Sequence, residues 1–429
     1  MKPPLSTLTI PLSEAAADGA FLELLRAPEV KCWTRRGEGL VAFGEVARFG
    51  CRGPERFADA AAWWSSLLAG ATHDDGVRLP GTGAIAFGSF AFSKTSGHES
   101  RLVVPRLVAG LRDGTAWLSI LSSTGERLTP ALARAEFDAA RTRLEPPPSA
   151  STPTLVAGTL GEANWMDAVA SAVRTIGGGG LEKVVLARDV AAVFDSPPPR
   201  GAILASLADR YSECWTYGVD GLVGSTPEML VRVMGTTASA RVLAGTLDRV
   251  GAPADGDAYA RAVLAGSDKQ RGEHELAVRS LTRQLAPFAT DLAFPPEPFI
   301  LKLPNVWHLA SDVYAELADF EGHLPSSLAL VEALHPTAAV CGTPRTEAGI
   351  LIRELERMDR GPYAGPVGWL DSAGNGEWGI ALRGAVIEDP HTVRLYAGCG
   401  IVAASDPAAE LAETWAKFRP MLQALGLHA

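Results

Sequence analysis

Between residues 222 and 243, three apolar, β-prone runs at 222–224, 229–233 and 238–243 follow one another with only four residues between neighbours. Parallel strands need a crossover of a dozen or more residues, so runs this close can pair only antiparallel. The same signature recurs elsewhere. Runs at 102–109 and 115–121 flank Asp113-Gly114, a dipeptide suited to a tight hairpin. Runs at 365–370 and 379–387 flank a turn at 371–376, and further strands are expected at 84–92, 183–188 and 393–397. Helical spacing marks 57–68, which carries Trp63 and Trp64, and also Trp165, Val169, Val173 and Ile176, which end in the glycines at 177–180. It returns over 259–285, with a soft break at Gly266-Ser267, and over 406–425. Groups of strands on short turns, with helices between them, imply antiparallel sheets covered by helices, an α+β fold.

With 429 residues the chain is long for a single core. The proline-rich stretch 146–158 reads as an extended linker, because proline fixes φ and removes a backbone donor. It lies between a strand-rich scaffold part, 1–145, and a second part, 159–429, the whole being read as one two-lobed unit. A formal charge of −10 argues against a general nucleic-acid binder, which needs a dense Lys/Arg surface. Residues 1–14 hold one lysine and no long apolar run, so no signal peptide is expected, and no run is long and apolar enough to suggest a membrane span. The five cysteines lie far apart without a CxxC pair, which suggests neither a zinc site nor a disulfide framework and fits a reducing cytoplasm.

A few charged side chains are out of character with their surroundings. Lys183 opens a strand of Val, Val and Leu and shares a face with Val185 and Ala187. It is either an edge-strand gatekeeper or a lysine desolvated enough to act as a base. Glu228 follows Pro227 at the head of a strand and suits either a structural role or an acid of raised pKa. Glu273 is followed at helical spacing by Leu276, Ala277, Ser280 and Leu281, a small and apolar stripe. A carboxylate turned toward such an interior needs a cation or a proton. On the last helix Ser405 and Asp406 are caps, Pro407 suits the first turn, and Gly426 ends it. There Glu410, Glu413 and Lys417 share one polar face, which taken alone reads as solvated with a local Glu413–Lys417 pair. Two separated helix carboxylates would also suit Mg²⁺, which prefers oxygen ligands and rarely takes a full protein cage. Other motifs fail: the glycines at 177–180 lack the Lys-Ser/Thr of a phosphate loop, and His274-Glu275 has no second histidine at zinc spacing.

Read together, the segments resemble the chorismate-utilising enzymes, and within them the isochorismate synthases. The blocks run in the family's order: KVVLAR at 183–188, GSTPEML at 224–230, LAGT at 243–246, SDKQRGEHELAV at 267–278 and WHLASDV at 307–313. LHPTAAVCGTPR at 334–345, YAGPVGWLDSAGNGEWGIALRGAVI at 363–387, LYAGCGIV at 395–402 and ELAETWAKF at 410–418 complete them. The resemblance covers roughly residues 160–425 and implies two large antiparallel β-sheets packed as a sandwich with helices outside.

It also implies roles. Lys183 would be the general base that activates water for attack at C2 of chorismate, and Glu228 the general acid that protonates the departing C4 hydroxyl. Glu273 and Glu413 would hold Mg²⁺ on the ring carboxylate, with Glu410 acting through metal-bound water. Arg383, Tyr363 and the backbone around Gly398 and Gly400 would take the enolpyruvyl carboxylate. Lys417, His308, Ala339, Val340, Gly245 and Thr246 would complete the substrate pocket. Lysine at 183 combined with Ala244, where aminodeoxychorismate synthases carry a nucleophilic lysine, points to water rather than ammonia as nucleophile. That leaves an isochorismate synthase, or a salicylate synthase that also expels pyruvate; an ammonia-using anthranilate-type enzyme and a non-catalytic chorismate-binding module are more distant alternatives. A monomer without a glutaminase subunit is expected. The sequence departs from the family at Gln270, where acidic residues or Asn are common, at Ala338, and at Cys341 and Cys399.

Overall fold

The computed structural model of the protein describes residues 3–12, 21–144, 152–249, 253 and 255–427. Two sheets, of 13 and 10 strands, carry the described chain. All their neighbouring strands are antiparallel except Ser6–Pro11 beside Thr72–Asp75. The larger sheet pairs Lys183–Val193 with Thr392–Ile401 and continues through Gly384–Ile387, Leu222–Thr226 and Trp215–Val219 into strands from the first 122 residues. The smaller sheet runs from Ala289–Ala293 through Val306–Leu317, Thr237–Asp248 and Met229–Met234 and likewise ends in early strands, Ile85–Ser89, Ser100–Val104 and Ala47–Cys51. Strands from both parts of the chain therefore share both sheets. Residues 146–151 of the proline-rich stretch lie outside the described residues, but within it Thr154–Ala157 pairs with residues 190–193 as the outermost strand of the larger sheet.

The sheets meet face to face. Trp33 of the larger sheet donates from Nε1 to Oε2 of Glu377 in the smaller one at 2.6 Å. The next residue on that strand, Trp378, points the other way, as the period of two requires, and donates to Ser327 Oγ beneath the helix Ser327–Leu334. The helices Pro130–Arg141, Arg200–Arg210 and Pro407–Ala424 cover the outer face of the larger sheet in a second apolar core. Local signals set the ends of these elements. Asp113 and Gly114 both have positive φ, 48° and 76°, and close a two-residue hairpin between Arg112 and Thr115. Ser267 caps the helix Asp268–Leu285 after the Gly266 break, and Asp406 caps the last helix. Among the described residues no helix is long and apolar enough to cross a membrane.

Two runs that read as single strands are each divided between the sheets. Residues 102–109 split into Ser100–Val104 in the smaller sheet and Leu107–Arg112 in the larger, because Pro105 has no N–H to continue a ladder. Residues 379–387 split into Gly376–Ile380 and Gly384–Ile387, with Arg383 at the joint in a left-handed conformation, φ 50°. The chain crosses between sheets again from Leu222–Thr226 to Met229–Met234, through Pro227-Glu228. The last two crossings lie side by side: Ile380 N donates to Glu228 O, and Ser225 N donates to Arg383 O, both at 3.2 Å.

Candidate active site

The paired crossings open on a cleft lined by both sheets and by the helices Asp268–Leu285 and Pro407–Ala424. Glu228 and Arg383 project into it because each occupies a joint where no ladder dictates side-chain direction. Gly245 enters in the same way. It sits at φ 80° in a bulge that shifts the register between Thr237–Asp248 and Val306–Leu317. A Cβ at Gly245 would come within 2.6 Å of Gln270 Oε1, so only glycine lets that amide lie against the strand.

Glu228 is 5% exposed. Burial pushes its carboxyl up to about 8, against the opposing pull of Lys183, Lys417 and Arg383. It is therefore a protonated acid at neutral pH. Lys183 is 1% exposed and opens the strand next to the outermost one, where Thr343 of the short strand Gly342–Thr343 pairs with it, so it is not a solvent-facing edge residue. Its Nζ is 2.9 Å from Oε1 of Glu273, which lines the cleft. Burial and the nearby charges of Arg383 and Lys417 hold His308 neutral. Arg383 Nη2 donates to His308 Nε2 at 3.0 Å, so the ring proton is on Nδ1, which donates to the Gly245 carbonyl at 3.1 Å. Arg383 Nη1 is buried and has no partner among the described residues, leaving one guanidinium edge for an anion. Lys417 bridges Glu413, 2.6 Å away, and the Gly398 carbonyl at 2.8 Å. Burial, the largest single influence, would lower its ammonium, but Glu413 and Cys399 together raise it above the ordinary lysine value.

The carboxylates Glu273, Glu410 and Glu413 also line the cleft. Cys399 Sγ and one ligand oxygen each from Glu410 and Glu413 lie within 4.8 Å of one another. The thiol is pushed up first by burial and then by Glu413, with Glu410 and Glu273 adding to the shift. It donates to the Glu410 carbonyl at 3.3 Å. Gln270 adds a buried amide oxygen without a partner among the described residues. Hard oxygen donors from two helices, one of them unsatisfied, fit Mg²⁺, whereas a protonated thiol does not. Gly400 makes room for this arrangement, since a Cβ there would fall 2.2 Å from Glu273 Oε1 and 2.8 Å from Lys183 Cε. Gly400→Ala is expected to separate the Lys183–Glu273 pair and cost on the order of 10²-fold in kcat at little change in thermal stability, checked by kinetics alongside a melting curve.

All the residues singled out from the sequence converge here. Glu228, Arg383, Tyr363, Gly398, Gly400, Lys417, His308, Ala339, Val340, Gly245, Thr246, Glu273, Glu410 and Glu413 line the cleft, and Lys183 reaches it through Glu273. The i,i+4 Glu413–Lys417 pair faces the cleft, not bulk solvent, with side chains 25% and 15% exposed. Sequence reasoning missed Tyr396, which stacks on Tyr363 at 5.0 Å and 12°, and Arg360. Tyr396 lies two residues before Gly398, so the period of two along that strand was the available signal. Nothing local marked Arg360.

The fold and cleft define a class: the profile described as "Chorismate binding enzyme" matches residues 21–426, and the chain belongs to that family. It is 38% identical to isochorismate synthase DhbC of Bacillus subtilis over 277 residues, 62% of this chain and 68% of that protein. It is 34% identical to the salicylate biosynthesis isochorismate synthase of Pseudomonas aeruginosa over 411 residues, 92% of this chain and 84% of the other. The solved structure of MenF, the menaquinone-specific isochorismate synthase of Escherichia coli, superimposes with a TM-score of 0.78 at 27% identity, covering 99% of this chain and 95% of that one.

Proposed function

We propose that the chain isomerises chorismate to isochorismate by attack of water at C2 and loss of the C4 hydroxyl. The observation that carries this reading is the meeting of two buried ionisable groups, an amine and a neutral carboxyl, at one cleft. Lys183 is ion-paired at 2.9 Å, while Glu228 is held as a neutral acid in the same cleft. In the reaction Lys183, acting as the base, removes a proton from water as the C2–O bond forms. The ring double bond shifts, the C4–O bond breaks, and Glu228 gives its proton to the departing hydroxyl, which leaves as water. Splitting the proton transfers between two preset groups lets one displacement proceed without a covalent intermediate.

Chorismate carries two carboxylates, and a chain of net charge −10 must gather cations locally to bind it. The free edge of Arg383, oriented by neutral His308, takes the enolpyruvyl carboxylate, with Tyr363 and the open backbone at Gly398 beside it. Glu273, Glu413 and Glu410 would hold Mg²⁺, which would supply positive charge to the ring carboxylate. Arg383→Gln is expected to raise KM for chorismate on the order of 10- to 100-fold with a smaller fall in kcat, because one charge-assisted contact is lost. Steady-state kinetics checks this. Ala244 at the cleft wall offers no nucleophile; with Lys183 as the base the reading needs neither ammonia nor a glutaminase subunit, and it takes the protein to be a cytoplasmic monomer acting on a small molecule.

The test is product analysis by HPLC after incubation with chorismate, with and without Mg²⁺. A Mg²⁺-dependent isochorismate peak is expected. Salicylate with pyruvate would make the enzyme a two-step salicylate synthase, and no turnover with either water or ammonium would overturn the reading.

A further inference from the structure

The strand Lys183–Val193 has a gap on the edge facing away from Thr392–Ile401. At one end Gly342–Thr343 pairs with Lys183 and Val184, and Val185 N donates to Cys341 O at 2.8 Å. At the other end Thr154–Ala157 pairs only with residues 190–193. Between them no strand among the described residues reaches the Val185 carbonyl or the Ala187 amide and carbonyl, and side chains satisfy all three. Arg360 Nη2 donates to Val185 O at 2.7 Å, Ala187 N donates to Glu356 Oε1 at 2.7 Å, and Trp165 Nε1 donates to Ala187 O at 3.1 Å. Arg360 and Glu356 are themselves a bidentate pair, with contacts of 2.9 and 2.5 Å and side chains 2% and 1% exposed.

The pair also reaches two other walls of the cleft. Arg360 Nη1 donates to the carbonyl of Val340 at 2.9 Å, and the Arg360 carbonyl accepts from Tyr363 N at 3.0 Å. Its guanidinium stacks 4.4 Å from the Phe92 ring, which closes its remaining face. A planar fork with fixed donor directions ties the strand bearing Lys183, the wall at Val340 and the segment bearing Tyr363 to one another. Lysine has neither the fork nor enough donors in plane to do the same.

We infer that Glu356 and Arg360 are positioning residues for the reaction. They stand in for a missing strand and fix where Lys183 sits relative to the substrate walls, without touching substrate chemistry. This rests on the proposed isomerase reading for its kinetic arm only. The test uses the full chain as Glu356→Gln and as the double variant Glu356→Leu/Arg360→Met, since buried ion pairs replaced by apolar groups of similar size often keep the fold. Hydrogen–deuterium exchange of peptides covering 183–190 is read beside kcat, KM and melting temperature. The expected result is faster exchange at 183–190 and kcat lower on the order of 10²-fold per folded molecule, with KM for chorismate held within about threefold. Exchange and kcat per folded molecule equal to wild type would overturn it, as would a loss confined to folded yield. Should the double variant fail to fold, Glu356→Gln decides by the same readings. Wild-type protein that makes no isochorismate would sink the functional reading instead, while the exchange arm would still decide whether the pair holds the strand.

Discussion

Lys183→Ala is expected to lower kcat by about 10²- to 10⁴-fold, the range for removing a general base, with the protein still folded. The fold survives because the lost partner, Glu273, is 12% exposed and opens onto the cleft, where water can solvate its carboxylate. The damage of an orphaned buried charge is therefore limited. Lys183→Arg separates the two roles a cation could play here. Guanidinium keeps the charge beside Glu273 but does not give up its proton, so it is expected to restore stability and not turnover. HPLC progress curves with circular dichroism on the same samples check both. If arginine restored turnover, position 183 would act by charge and another group would be the base.

Glu228→Gln is expected to cost a similar factor in kcat, and to do so with a sign in pH. The wild-type acid works while protonated, so kcat is expected to hold at neutral pH and fall as pH rises through about 8. In the Gln variant that limb disappears. Stability falls in the same direction, over a lower window. Because folding raises the Glu228 pKa from 4.5 to about 8, the folded state binds more protons in that window, and wild-type stability drops as pH climbs through it. Glutamine carries no such cost. Its melting temperature is expected to equal wild type near pH 4, to gain with rising pH and to level off above about 8. A variant whose advantage shrinks toward alkaline pH would mean that Glu228 is ionised in the folded protein.

The two features behind these expectations were unequally legible. Turns and caps acted locally and could be read: Asp113-Gly114 closes its hairpin, and Ser267 and Asp406 cap their helices. The antiparallel sheets followed from gaps too short for crossovers. What local pattern could not show was a strand leaving one sheet for the other. Residues 379–387 are apolar except for Arg383, and nothing in them announces the left-handed turn that aims Arg383 at the cleft. For the same reason Lys183 stayed balanced between an edge gatekeeper and a buried base. Its partner Glu273 is 90 positions away, on a helix whose spacing alone said only that it was helical. The family blocks carried that long-range information. They did not reach the Glu356–Arg360 pair, because a side chain filling a gap between strands leaves no periodicity to read.

The central claim is that water attacks C2 while the C4 oxygen leaves. The most direct measurement is turnover of chorismate in water enriched in oxygen-18, with the isochorismate isolated and its labelled position found by fragment mass spectrometry. The expected result is one solvent oxygen in each newly formed isochorismate, located in the C2 hydroxyl. Isochorismate formed at the same rate without label would mean that the hydroxyl migrates within the molecule, and would contradict the account.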